Sequence, residues 1–234
     1  MKVAIIVFPG TWSDGDCMYA MHQVGADPYK VWHTQEKIGN PDMVIIPGGF
    51  SYGDYLRCGA IAQFSNVMKD VVNFAISGGI VVGICNGFQI LCESELLPGV
   101  LIKNDSLQFR CEDTFLKIND SAISSPFLNN ISINKPLKIP ISHGSGNYFV
   151  DDLTLKKLKK TNRIAFQYSN SEGIVEDGYN PNGSVDNIAG ILNESGNVLG
   201  MMPHPERASD VLLSGTDGNL IWNSVMKSMM VKNK

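Results

Sequence analysis

Short apolar runs that each give way to a stretch of helical period are the feature that most narrows what this chain can fold into. Residues 3–8, Met43–Ile46 and Ile80–Ile84 are apolar without alternation, and residues 29–33 form a weaker run of the same kind. A strand buried on both faces reads this way, whereas a strand with one wet face alternates. Between the runs, residues 14–24, 60–76 and 88–97 carry apolar side chains near a 3.6-residue repeat, and Gly25 stops the first of them. Buried strands alternating with helices predict an α/β fold with a doubly wound, mostly parallel sheet. In such sheets ligands sit beyond the carboxyl ends of the strands. Pro47-Gly48-Gly49 and Cys85 both fall there.

Beyond about residue 98 the pattern changes. Residues 108–111, 115–118 and 137–141 are short β-like pieces, and residues 186–192 and 197–202 flank the turn Asn193-Glu194-Ser195-Gly196 as a hairpin. A small antiparallel β extension is expected, followed by a last helix over residues 218–230. The chain has 234 residues, 44% of them hydrophobic, which suits one domain over residues 1–234 built on one core. No segment approaches the roughly 20 apolar residues of a membrane helix. The apolar start is shorter than the roughly 7–15 residues of a leader's core, and Pro9-Gly10 follows it without a small-residue cleavage site. It reads as a first strand.

Net charge is −4, and the one dense basic cluster, Lys156-Lys157-Leu158-Lys159-Lys160, has no interleaved aromatic residues. It reads as a solvated helix face, not a nucleic-acid patch. Five cysteines (17, 58, 85, 92 and 111) form no C-x-x-C pair. That pattern argues for free thiols in a reducing, cytoplasmic compartment and against zinc.

Most buried cysteines only pack. Cys85 stands apart because Gly83-Ile84-Cys85-Asn86-Gly87 links a strand to a helix. A small residue two positions before and after a nucleophile permits the tight strand-to-helix bend known as the nucleophile elbow. The bend holds its central residue in sparsely populated backbone geometry, and larger neighbours would collide. The sulfur then stands at a helix N-terminus, where free N–H groups and partial positive charge favour a thiolate. The N–H of Asn86 is placed to help hold an oxyanion. Cys92, within a helix, and Cys111, within a strand, read as packing residues. Cys17 lies on the first helix, and Cys58 sits in a glycine-rich loop with nothing to make it a nucleophile.

A cysteine nucleophile usually needs a histidine, and the chain has four. His22 and His33 read as structural; His143, in Ser142-His143-Gly144-Ser145-Gly146, reads as a pocket residue. His204 lies in Pro203-His204-Pro205-Glu206, where the prolines favour extended backbone. In an extended segment residues two apart point the same way, so Glu206 is expected beside His204, fixing its tautomer. That is triad logic in the order Cys85, His204, Glu206. The bland alternative is a rigid loop with a surface carboxylate.

Gly-Ile-Cys-Asn-Gly-Phe-Gln at 83–89 together with Pro-His-Pro-Glu at 203–206 resembles the class I, triad-type glutamine amidotransferases. The run from Gly48-Gly49-Phe50-Ser51-Tyr52-Gly53-Asp54-Tyr55-Leu56-Arg57 to Cys58-Gly59-Ala60, the Ser142–Tyr148 stretch and residues 196–207 are similar to one branch of them, the glutaminase subunits of phosphoribosylformylglycinamidine synthase. The likeness spans nearly the whole chain and departs at Thr11-Trp12-Ser13-Asp14-Gly15-Asp16-Cys17, where the branch more often has a short Gly-Ser/Thr-Asn-Cys-Asp run. The resemblance implies a flavodoxin-like fold and a mechanism in which Cys85 attacks the glutamine side-chain amide. It implies an oxyanion hole from the N–H groups of Gly49 and Asn86, with Gln89 helping to hold the substrate. By the same likeness Ser142, Gly144 and Ser145 contact the substrate's α-amino and carboxylate groups. It further implies a large synthetase subunit that uses ATP and Mg, a small third subunit, and no cofactor in this chain. Consistent with that division, the sequence has no Gly-x-x-x-x-Gly-Lys-Ser/Thr phosphate loop.

Three rivals stay open on sequence alone: another class I amidotransferase, a cysteine peptidase or thiol-stress protein on a similar scaffold, and a regulatory module with a vestigial site. The acceptor requirement separates the first, and absence of glutaminase activity marks the second. Retention of cysteine, histidine and glutamate together speaks against the third.

Overall fold

The computed structural model describes residues 1–119, 122, 124–131, 135–213 and 215–232. Strands β1 (Lys2–Val7), β2 (Asp27–Trp32), β3 (Met43–Ile46) and β4 (Ile80–Ile84) are linked by α1 (Asp14–Gln23) and α2 (Asn66–Ile76). Every residue of β3 and β4 is buried, as their unbroken apolar runs require. Helix α3 (Asn86–Glu93) follows β4 directly. Then come β5 (Val100–Ile102), β6 (Arg110–Ile118), β7 (Leu137–His143), β8 (Asn147–Phe149), α4 (Asp152–Lys160), β9 (Ile164–Ser169), β10 (Ile188–Leu192), β11 (Val198–Met201) and α5 (Gly218–Lys232).

One nine-stranded sheet runs in the order β2-β1-β3-β4-β11-β10-β9-β6-β7, with β5 and β8 paired apart from it. From β2 to β11 neighbouring strands are parallel. From β11 to β7 they are antiparallel. The extension expected at the C-terminal half therefore continues the parallel sheet through the hairpin of β10 and β11. Strand β1 has β2 on one side and β3 on the other, so the connections leaving β1 and β3 diverge at a switch point. There Thr11 and Gly49 form an isolated antiparallel bridge.

Two helices differ from their predicted extent. The 60–76 segment is broken: Ala62–Phe64 is a single 3-10 turn, and Ser65 is extended (φ −66°, ψ 145°) before α2 begins. A tertiary contact holds it there, because Ser65 Oγ bonds Tyr52 Oη at 2.8 Å. Phe64, expected on the apolar face, is 80% exposed. The 88–97 helix starts earlier and ends at Glu93. Glu95 turns left-handed (φ 58°) and both Leu96 and Leu97 N–H groups donate to Leu91 O, which brings Leu97 into the core. Residues 110–111 of the first predicted piece and all of 115–118 belong to one strand, β6, which leaves 108 and 109 outside it.

Candidate functional site

Cys85 ends β4 and caps α3 with φ 52° and ψ −107°, a left-handed backbone that a non-glycine residue rarely keeps. Its neighbours hold it there. The Cys85 N–H donates to Met201 O of β11 at 2.8 Å, and the Gln89 N–H donates to Cys85 O at 3.2 Å. A Cβ at residue 83 would lie 2.6 Å from Gly87 O, and one at residue 87 would lie 1.9 Å from Ile46 O. Only glycine fits where strand, bend and helix meet. The sulfur donates to Ser142 O at 3.6 Å.

Behind this bend lie His204 and Glu206, both fully buried. His204 Nδ1 meets Glu206 Oε1 at 2.6 Å. The route to that contact differs from the extended segment predicted: Pro205–Arg207 is a 3-10 turn, with Pro205 at its start, and the turn folds Glu206 back beneath the ring. Burial alone would lower the proton affinity of His204. The Glu206 carboxylate and the Cys85 sulfur outweigh it and push the ring up to about 10. His204 Nε2 has no aligned hydrogen bond, and the ring's interaction with the Cys85 thiol is among the causes that raise it. Gly48 touches both partners: a Cβ there would stand 2.7 Å from His204 Cε1 and 3.4 Å from Cys85 Cβ. Cysteine, imidazole and carboxylate thus lie together and buried, suited to a thiolate–imidazolium pair with a fixed counter-charge.

Gly49 lines the same cavity as Cys85, and Asn86 follows Cys85 at the start of α3. Asn86 is the first residue of α3, so its N–H has no partner within the helix. At Gly49 the bridge to Thr11 uses other groups. Trp12 N–H donates to Gly48 O and Phe50 N–H to Gly10 O, leaving the Gly49 N–H outside it. Gly49 has φ 154°, and a Cβ there would lie 2.5 Å from Gly10 O.

A chain of hydrogen bonds then crosses the site. Ser51 N–H donates to Asn86 Oδ1 at 3.1 Å, Asn86 Nδ2 to Gln89 Oε1 at 2.8 Å, and Gln89 Nε2 to Ser145 O at 2.7 Å. It ties the loop after β3 to α3 and to the loop between β7 and β8. Ser142, Gly144, Ser145, Gly49, Gln89 and Cys85 line a single cavity. Trp12, Phe50 and Phe109, each half exposed, also line it.

His143 is buried in a polar nest. Nδ1 meets Asn104 Oδ1 at 3.2 Å, and Nε2 meets Asn182 Nδ2 at 3.4 Å. Burial, with the positive charges of His204 and Arg110, pulls it down to about 3 against a weaker opposing backbone hydrogen bond, so the ring is neutral. His143 lines the cavity, and its side-chain contacts to Asn104 and Asn182 brace the loop. His33 bonds Tyr52 Oη at 2.7 Å, and His22 is exposed at the end of α1.

Among the cysteines, Cys17 and Cys92 are buried, and burial raises both thiols well above their usual range. Cys111 departs from its predicted packing role: in β6 it faces solvent. All five thiols are free. Among the described residues no group of three or more His, Cys, Asp and Glu side chains is arranged to hold a metal, and no helix is long and apolar enough to cross a membrane.

Sequence reasoning missed Ser13, Asp54 and Cys58. Ser13 Oγ accepts from Gly48 N–H at 2.9 Å, bracing the turn beside the sulfur. Cys58 and Asp54 line the cavity from the loop after β3. The sequence places the 50–58 loop near the nucleophile but assigns Asp54 and Cys58 no part in the site, and the fold shows that both line its cavity.

Residues 1–222 match the family model described as the CobB/CobQ-like glutamine amidotransferase domain. The chain is similar to the phosphoribosylformylglycinamidine synthase subunit PurQ of Salinibacter ruber, 47% identical over 98% of this chain and 97% of that protein. It is also similar to the subunit of the same name from Moorella thermoacetica, 50% identical over 97% of this chain and 95% of that protein. Among solved structures it resembles a chain of PurLQS from Thermotoga maritima, with TM-score 0.85, 38% identity and coverage of 97% of this chain and 98% of that one.

Proposed function

The chain belongs to the family of CobB/CobQ-like glutamine amidotransferase domains, and on that premise we propose that Cys85, His204 and Glu206 carry out glutamine hydrolysis. The chain is the glutaminase subunit of phosphoribosylformylglycinamidine synthase. It supplies ammonia for the conversion of formylglycinamide ribonucleotide to formylglycinamidine ribonucleotide in purine biosynthesis. The observation that carries the mechanism is the buried cluster of thiol, imidazole and carboxylate at the elbow, with His204 Nδ1 held by Glu206 at 2.6 Å.

The thiolate of Cys85 attacks the side-chain amide carbon of glutamine. Negative charge moves to the amide oxygen, where the N–H groups of Asn86 and Gly49 receive it. His204, as imidazolium, gives its proton to the departing nitrogen, and ammonia leaves a thioester on Cys85. The now neutral ring takes a proton from water, whose oxygen attacks the thioester carbon. Glutamate leaves and the thiolate–imidazolium pair is restored. Glu206 keeps its charge throughout and stabilises the protonated ring. Gln89, Ser142, Gly144 and Ser145 position the substrate.

The large synthetase subunit, with a small third subunit, receives the ammonia. ATP and Mg act in the synthetase, and this chain works as one domain without a cofactor of its own. Free thiols on all five cysteines support a cytoplasmic setting. The test is glutamate release by this chain alone, then with the synthetase, the third subunit, ATP, Mg and acceptor. Glutamate and formylglycinamidine ribonucleotide are expected in equal amounts from the full mixture. No glutamate in any mixture, or release that follows a different acceptor, would overturn the reading.

A further inference from the structure

The loop after β3 carries a carboxylate that nothing in the mechanism uses. Tyr52 (φ 53°), Gly53 (φ 69°) and Asp54 (φ 55°) are left-handed in succession, a conformation L-residues keep only when their surroundings impose it. The surroundings do so here. Tyr52 N–H donates to Pro9 O at 2.7 Å, its hydroxyl bonds His33 and Ser65, and Ser51 N–H donates to Asn86. The turn delivers Asp54 to the wall of the cavity that holds Cys85 and Gln89.

Asp54 Oδ1 is buried there without a hydrogen-bond partner. An unpaired buried carboxylate oxygen is costly, and a native structure keeps one only for a reason. With His143 held neutral, Asp54 is the one carboxylate among the described residues that line this cavity, apart from the reacting sulfur the one group there that carries negative charge. Burial raises its proton affinity, partly offset by the neighbouring Cys58 thiol, as expected of an anion awaiting a cation. The substrate brings one: free glutamine carries an α-ammonium at the far end from its amide.

We infer that Asp54 is the site for the α-ammonium of glutamine, and that it makes the enzyme select a free amino acid over other primary amides. This rests on the glutaminase function proposed above and refines it. The hydroxyls of Ser142 and Ser145 and nearby backbone N–H groups are then left for the α-carboxylate.

The test compares glutamine with glutaramate, the same amide without its α-amino group, in the assembled complex. Asp54→Asn keeps the size and tolerates the left-handed backbone. It is expected to lower kcat/KM for glutamine about 10- to 100-fold, mainly through KM, and to change kcat/KM for glutaramate by less than about threefold. Hydrolysis of glutaramate reports that the variant is folded. Independently of any variant, the wild-type complex should favour glutamine over glutaramate by a similar factor. Equal use of the two amides by the wild type, or an equal loss on both in the variant, would overturn the assignment of Asp54 while leaving the glutaminase intact. A wild-type complex that cleaves neither would overturn the function itself, and Asp54's role with it.

Discussion

Glu206→Gln keeps the shape of a fully buried side chain and removes its charge. In the native protein burial pulls His204 down, yet the Glu206 carboxylate at 2.6 Å and the Cys85 sulfur raise it from 6.5 to about 10. At about 1.4 kcal/mol per pH unit, that gap is on the order of 5 kcal/mol. That gap is the net of Glu206 and Cys85 against burial, so Glu206 is assigned the cost of breaking a buried pair by removing one partner, about 3–5 kcal/mol. The folded value lies above the unfolded one, so the stabilisation is complete below 6.5 and is lost as pH rises through about 10. The variant should therefore be less stable than the wild type by about 3–5 kcal/mol near pH 6, with the deficit shrinking towards pH 10. Glutamine hydrolysis should fall about 10³- to 10⁴-fold, as when a triad loses the charge that orients its histidine. Urea unfolding at several pH values measures the first effect, and NMR titration of the His204 ring measures its cause. A deficit that does not vary with pH, or a ring that still titrates near 10 in the variant, would refute the reasoning.

Gly87→Ala puts a Cβ 1.9 Å from Ile46 O. Overpacking of about 1–3 kcal/mol should lower Tm by about 2–4 °C per kcal/mol in calorimetry, and an unchanged Tm would contradict the close approach. Gln89→Ala cuts the bridge between Asn86 and the Ser145 carbonyl. KM for glutamine should rise about tenfold with a smaller change in kcat, and steady-state kinetics will show whether the two move separately. A glutamine-like electrophile should label Cys85, whereas a general alkylating agent should reach exposed Cys111 and leave buried Cys17 and Cys92 unmodified. Peptide mapping that finds the glutamine analogue spread over all five thiols would count against the elbow.

The parallel half of the sheet was legible because burial on both faces leaves runs such as Met43–Ile46 with no polar residue. The elbow was legible because its geometry depends on two glycines within two residues of Cys85. Other features depend on contacts the sequence does not announce. Ser65 breaks the expected helix because Tyr52, 13 residues earlier, bonds its hydroxyl. Glu206 reaches His204 through a tight turn where extended backbone was expected, since Pro205 suits the first position of a helix as well as a strand. Period-2 patterning did not distinguish a separate β piece from one that continues the main sheet, which the hairpin of β10 and β11 decides. Cys111 was expected to pack because it falls in a strand segment, but β6 exposes Cys111 together with Glu112 and Asp113.

The most direct measurement is Cys85→Ala in the complete synthetase complex, assayed once with glutamine and once with ammonium as nitrogen donor. Synthesis from glutamine should vanish while synthesis from ammonium proceeds at the wild-type rate, because the substitution removes one sulfur and leaves the synthetase untouched. If glutamine still supports product formation, or if both donors fail together in a complex that assembles normally, the assignment of amide cleavage to this sulfur is wrong.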